Sequence, residues 1–167
     1  WYNGLFLFDR SAVKFKNYSY DAANDKSISS GDIVAIHEDS HGNLWIGTTN
    51  GLNRFNYETS DFTRYFHDEN DKNSLSDNTI NSITEDNDGN LLIGTTNGLN
   101  IYDHEKAAFR SYSTKDGLVN NVIHGAVSDD DGNIWMSTLN GVCKFNPQTL
   151  ACRNYGVADG LQGNEFI

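Results

Sequence analysis

Gly42-Asn43-Leu44-Trp45-Ile46-Gly47-Thr48-Thr49-Asn50-Gly51-Leu52 is the stretch that decides the fold, because the chain repeats it twice. It returns as Gly89-Asn90-Leu91-Leu92-Ile93-Gly94-Thr95-Thr96-Asn97-Gly98-Leu99 and again as Gly132-Asn133-Ile134-Trp135-Met136-Ser137-Thr138-Leu139-Asn140-Gly141-Val142, at steps of 47 and 43 residues. Asn3-Gly4-Leu5 stands one step earlier in the same register. Tyr18, Tyr65, Tyr112 and Tyr155 hold one position in four successive copies, and Asp116-Gly117-Leu118 comes back as Asp159-Gly160-Leu161. Three complete copies therefore stand between two partial ones. Each copy holds four short stretches rich in β-branched and aromatic residues, in the middle copy roughly Thr79–Thr84, Leu91–Thr95, Gly98–Tyr102 and Ala108–Tyr112. Asp39-Ser40-His41-Gly42, Asp86-Asn87-Asp88-Gly89 and Asp129-Asp130-Asp131-Gly132 separate the first stretch from the second. Asp in first place and Gly in fourth suit a type I turn whose carboxylate binds backbone amides and whose glycine takes positive φ. Asn-Gly opens every third stretch, a tight-turn signal that fixes register.

Four antiparallel strands every 43 to 47 residues is the spacing of a β-propeller blade. The reading is all-β, a β-propeller fragment of four-stranded antiparallel blades: the last strands of a partial blade at 1–20, blades at 21–66, 67–113 and 114–156, and the start of another at 157–167. Closed propellers have about 4–8 blades, so this is an arc of a larger ring, with apolar strand faces at its ends that favour self-association. Gly47, Gly94 and Ser137 share one position, where a small residue lets adjacent blades approach. Trp45, Leu92 and Trp135 fill the slot beside it, and Trp135 is expected to be buried like Trp45.

The 167 residues carry 12 Lys+Arg against 23 Asp+Glu, a net charge of −11, which excludes phosphate-backbone binding as a starting hypothesis. A hydrophobic fraction of 37% is enough for a folded core, and no apolar run reaches the roughly 18 residues of a membrane span. The opening Trp1-Tyr2-Asn3-Gly4 is not a basic stretch followed by an apolar one, so no leader is read there. Two cysteines without a CxxC spacing suggest neither a disulfide scaffold nor a zinc site. With the last hairpin's turn at Asn146-Pro147-Gln148-Thr149, Phe145 faces Leu150 and Cys143 faces Cys152 directly. That is close enough for a disulfide in an oxidising compartment, the alternative being two half-buried thiols.

Neither a nucleophile with its base nor a pair of carboxylates is legible, and His37, His41, His67, His104 and His124 occupy different registers, which suggests no histidine cluster. The Asp129-Asp130-Asp131 turn lacks the sixth-position Gly and twelfth-position Glu of an EF-hand loop. No cofactor, metal or catalytic residue is assigned. Amide side chains offer both donors and acceptors to sugar hydroxyls, and an aromatic ring stacks on a pyranose face. The candidate ligand residues are therefore Asn78, Asn97 and Asn121, with His124 near the propeller mouth and Tyr2 as the aromatic. Against this, asparagines in such turns also serve backbone geometry alone.

Glu85-Asp86-x-x-Gly89-Asn90-Leu91-x-Ile93-Gly94-Thr95-x-Asn97-Gly98-Leu99-Asn100-x-Tyr102-Asp103 resembles the two-component regulator propeller repeat, and the resemblance runs blade after blade along nearly the whole chain. The tail Asp159-Gly160-Leu161-Gln162-Gly163-Asn164-Glu165-Phe166 resembles the segment that opens the last blade of such sensors. The resemblance implies the periplasmic sensor region of a hybrid two-component histidine kinase, part of an inner-membrane protein. Further blades, an immunoglobulin-like domain, a membrane helix and a kinase are expected in the parent, which would act as a homodimer. An oligosaccharide released from a complex glycan is the implied ligand, and signalling runs through a phosphorelay to transcription. A propeller lyase or glycosidase and a non-catalytic dimerisation scaffold are the alternatives.

Overall fold

A computed structural model describes residues 4–163 and Glu165. The first partial copy forms a hairpin of β1 (Leu5–Asp9) and β2 (Lys14–Tyr18). Three four-stranded antiparallel sheets follow. The first blade holds β3 (Ile33–Glu38), β4 (Leu44–Thr48), β5 (Gly51–Asn56) and β6 (Asp61–Tyr65). The second holds β7 (Ile80–Glu85), β8 (Leu91–Thr95), β9 (Gly98–Asp103) and β10 (Ala108–Tyr112). The third holds β11 (Ile123–Ser128), β12 (Ile134–Thr138), β13 (Gly141–Asn146) and β14 (Ala151–Tyr155). Strand order in space equals chain order, so turns alternate ends: the Asp-x-x-Gly turns lie at one end of the blades and the Asn-Gly turns at the other. Among the described residues there is no α-helix, only 3-10 turns at Thr114–Asp116 and Val157–Asp159.

Each Asp-x-x-Gly turn closes on itself. Gly42 N–H donates to the Asp39 carbonyl at 2.9 Å, Asp39 Oδ1 accepts from the His41 and Asn43 amides at 3.0 and 2.7 Å, and Gly42 sits at φ 78°. The turns at Asp86 and Asp129 repeat this. The core is a series of layers between successive sheets. Trp45 and Leu52 pack with Ile80, Ile83, Leu91, Tyr102 and Phe109, while Leu92, Leu99 and Tyr112 pack with Ile123, Ala126, Met136 and Phe145. A Cβ on Gly47 would lie 2.5 Å from Ile80 Cγ2, and one on Gly94 would lie 2.9 Å from the Ile123 carbonyl oxygen, both far inside van der Waals contact. The turn glycines then stitch blade to blade. Gly51 N–H donates to the Asn78 carbonyl at 2.6 Å and Gly98 N–H to that of Asn121 at 2.7 Å.

Two expectations need correction. The hairpin between each third and fourth strand turns one residue later along the chain than the sequence suggests: Phe145 pairs with Cys152 and Asn146 with Ala151, around a turn at 147–150. The cause is an asparagine cap followed by a left-handed residue. Asn146 Oδ1 accepts from the Gln148 and Thr149 amides, and Leu150, at φ 59°, returns its N–H to the Asn146 carbonyl at 2.9 Å. Val13, Ser60 and Ala107 take the same conformation, at φ 52°, 56° and 50°. Residues with a Cβ rarely adopt positive φ, so nothing in the residue types announced it. Cys143 therefore opposes Asn154, not Cys152. The two cysteines sit diagonally on one face with Cα atoms 6.3 Å apart, within disulfide range, and are joined by a disulfide. The position of Cys143 belongs elsewhere in the repeat to a clamp, and that of Cys152 to Phe62 and Phe109. Asn53 and Asn100, fully buried, accept the backbone N–H of Ser29 and Ser76 at 2.9 and 2.8 Å and donate back to each hydroxyl at 2.8 Å. The third blade has Val119 where these serines stand, and Cys143 where the asparagines stand.

Trp135 is the second correction. Trp45 is 0% exposed between Tyr65 and Tyr102, at 5.5 and 5.2 Å between ring centroids. Trp135 stacks on Tyr155 at 5.4 Å but stays partly exposed, because no following sheet covers it among the described residues. Trp45→Ala should cost about 3–5 kcal/mol in urea unfolding, and Trp135→Ala only about 1–2 kcal/mol. Equal losses would contradict the layer order. Burial among these rings also pushes the Tyr65 hydroxyl up to about 12. The unfolded chain ionises this group near pH 10 and the folded chain does not, so its contribution is intact below pH 10 and is lost as pH rises toward 12. Tyr65→Phe should flatten that alkaline decline in a pH series of thermal melts.

Candidate functional site

The end of the blades that carries the Asn-Gly turns joins two of the four described candidate ligand residues, Asn97 and Asn121, by a direct amide–amide hydrogen bond. Asn121 Nδ2 donates to Asn97 Oδ1 at 3.1 Å, joining the third blade's crossover to the second blade's turn. Asn121 Oδ1 accepts from Thr114 N–H at 2.8 Å, and Asn97 Nδ2 reaches the Ser76 carbonyl at 3.4 Å. Asn78 repeats the Asn121 pattern one blade earlier, with its Oδ1 accepting from His67 N–H at 2.7 Å. These amides thus spend part of their capacity on backbone geometry. Asn97 is the exposed one. His124 falls at a bulge in β11, where pairing with β12 shifts between Ile123 and Gly125. Its Nε2 is buried without a hydrogen-bond partner. Val34 and Asn81 hold the same bulge position in the other blades, and Asn81 Nδ2 donates across to the Ile123 carbonyl at 3.0 Å. Tyr2, the aromatic candidate, lies outside the described residues.

At the opposite end the structure assembles a histidine cluster that the repeat registers did not reveal. His41, in the first blade's Asp-x-x-Gly turn, packs against His104, in the turn after β9, with ring centroids 4.3 Å apart and the rings tilted by 30°. His104 Nε2 lies 3.5 Å from Asp39 Oδ2, and His37 Nε2 lies 3.5 Å from Glu85 Oε2. The signal was present in topology. Both turns occupy the same end of adjacent blades, so residues in different registers meet across the interface. Burial opposes the Asp39 charge, yet Trp45 Nε1–H at 2.6 Å and the amides of Asn43 outweigh it and hold the carboxyl below the usual range. Burial likewise opposes Glu85, which is lowered because Ser40 donates both its hydroxyl and its N–H to it. Burial lowers His104, against the pull of Asp39, so its ring is neutral at pH 7. A groove of about 700 Å³ opens on this side too, along the outer strand β10, lined by Lys72, Asp86, Asp103, Arg110, Tyr112 and Gln148 among others.

Comparison with known proteins gives this geometry a context. The family model described as two component regulator propeller matches residues 27–50, 74–97 and 117–140. Among solved structures, the extracellular domain of the hybrid two component system BT3049 from B. thetaiotaomicron superposes with a TM-score of 0.85 at 23% identity over 98% of this chain. The extracellular domain of the one component system BT4673 from the same organism gives 0.67 at 23% identity over 97%. Virginiamycin B lyase from Staphylococcus aureus gives 0.62 at 12% identity over 92% of this chain and 48% of its own. The chain spans 23% and 30% of the length of the first two domains. No curated protein matches the sequence. Each matched segment covers the crossover and the first two strands of one sheet, so the two component regulator propeller model matches once in each of the three four-stranded blades.

Proposed function

We propose that this chain is a ligand-sensing arc of the extracytoplasmic domain of a hybrid two-component histidine kinase, a receptor and not a catalyst. One observation carries the reading: the regulator propeller repeat recurs in register in all three complete blades. The extracellular domains that share the fold support the compartment, and a disulfide between Cys143 and Cys152 suits an oxidising one. The ligand class is a neutral oligosaccharide released from a complex glycan. It is read by amides that carry no charge, Asn78, Asn97 and Asn121, with His124 at the mouth and Tyr2 as a stacking ring. Further blades and an immunoglobulin-like domain of the parent complete the propeller. Binding biases the geometry of a homodimer, which passes the signal through the membrane to the kinase and its phosphorelay.

Isothermal titration of the complete receptor domain against a glycan library should find a neutral oligosaccharide that is recovered chemically intact. Replacing Asn78, Asn97, Asn121 and His124 together by Ala should weaken it at least about tenfold, a loss of about 1.4 kcal/mol. Unchanged affinity removes the ligand from this face, and cleavage of the glycan turns the receptor into an enzyme. Thiol labelling of exported protein, denatured without reductant, should find no free thiol at Cys143 or Cys152. Two labelled thiols would refute the bridge and weaken the compartment assignment.

A further inference from the structure

The histidine cluster between the first and second blades has a geometry that ordinary hydrogen bonding leaves unexplained. His104 Nε2 is buried, has no hydrogen-bond partner, and points at Asp39 Oδ2 from 3.5 Å. That separation is too long for a good hydrogen bond. It does match the edge of a tetrahedral zinc site, where bonds of about 2.0–2.1 Å place neighbouring ligand atoms roughly 3.3 Å apart. One ring nitrogen of His41 completes a set of three ligand atoms that all lie within 4.8 Å of one another. His41 is exposed, so its ring can close the remaining distance by side-chain rotation, while Asp39 and His104 stay in place.

We propose that Asp39, His41 and His104 form a binding site for a divalent transition metal of the zinc class, which joins the first blade to the second. Two imidazoles and a carboxylate suit this class of ion and disfavour magnesium or calcium, which take oxygen ligands. The fourth position is left to water or to an incoming donor. Asp39 keeps its turn bonds on Oδ1. On Oδ2 it accepts from Trp45 Nε1 at 2.6 Å and shares Asn43 Nδ2, which also reaches Oδ1 at 3.1 Å, so Asn43 can yield that contact to a metal. The turn is already fixed for the purpose. Ser40 N–H and Oγ–H are bound to Glu85 of the second blade, which places His41 against His104. Among the described residues the ligands come from both sides of a blade interface, which is why no spacing motif marks them.

Titration of this chain with Zn²⁺ should find one equivalent bound, and Co²⁺ should give the visible d–d absorption of a tetrahedral nitrogen and oxygen site. His41→Ala, at an exposed position that leaves the core intact, should lower Zn²⁺ affinity at least about tenfold, a loss of about 1.4 kcal/mol. His104→Gln should do the same, and His67→Ala, at the other end of the blades, should leave it unchanged. Zinc should also raise the melting temperature of the parent chain and not that of His41→Ala. Overturning results are an affinity unchanged by His41→Ala, the absence of a tetrahedral Co²⁺ spectrum, or equal loss of binding in His67→Ala.

Discussion

A missing methyl group sets the distance between neighbouring sheets. At Gly47 and Gly94 the backbone of one blade lies against Ile80 and the Ile123 carbonyl of the next, closer than any Cβ would permit. Everything else in the interface is scaled to that approach. Trp45 finds Tyr65 and Tyr102 at ring-contact distance, Leu92 and Leu99 reach the third blade's core, and the turn glycines come near enough to donate to the next crossover's carbonyl. A single blade has little interior of its own, because its faces become interior only when the next blade arrives. Stability is therefore shared between neighbours, as in other repeat architectures.

That dependence explains which parts of the fold the sequence discloses. The 47- and 43-residue steps, the Asp-x-x-Gly turns and the Asn-Gly turns are local or periodic, and they directly specified the strands and the end of the sheet at which each turn lies. The hairpin register was not legible, because it turns on Leu150, Ser60, Ala107 and Val13 taking a conformation that their residue types disfavour. The burial of Trp135 was misjudged for a different reason: a position in a repeat inherits its partner only if the next unit is there to supply it. His41, His104 and Asp39 were invisible for a related cause, since turns from adjacent blades, unrelated in register, supply them.

The two ends of the blades now have distinct characters. At the Asn-Gly end, the Asn97–Asn121 bridge and the Asn78 cap form an amide-lined surface whose amides also hold the turns in place, beside the Asp77 carboxylate that accepts from Thr96. Such a surface is rigid before any partner meets it, which limits the ordering entropy that binding must overcome. At the Asp-x-x-Gly end, carboxylates and imidazoles meet across an interface. Asp39 is committed to the charged form there by Trp45 and Asn43. The separation of an amide-rich rim from one where imidazoles meet carboxylates follows from antiparallel connectivity, which sends each turn type always to the same end.

In the first two blades the crossover strap is fastened to its own sheet, Ser29 to Asn53 and Ser76 to Asn100. In the third, the sheet is cross-linked within itself through Cys143 and Cys152, and the strap offers Val119, which has no hydroxyl to fasten. The segment from Thr114 to Val122 is instead held by its own Ser113–Asp116 cap, by Asn121 and by the buried Leu118. Mechanically, the third strap rests on its sheet through apolar packing of Leu118 and Val119 against the cluster that holds Cys143 and Phe145, where the other two are riveted by hydrogen bonds. A load applied at that rim meets non-directional packing in the third blade, while the same load on the first or second blade passes through hydrogen bonds directly into the sheet.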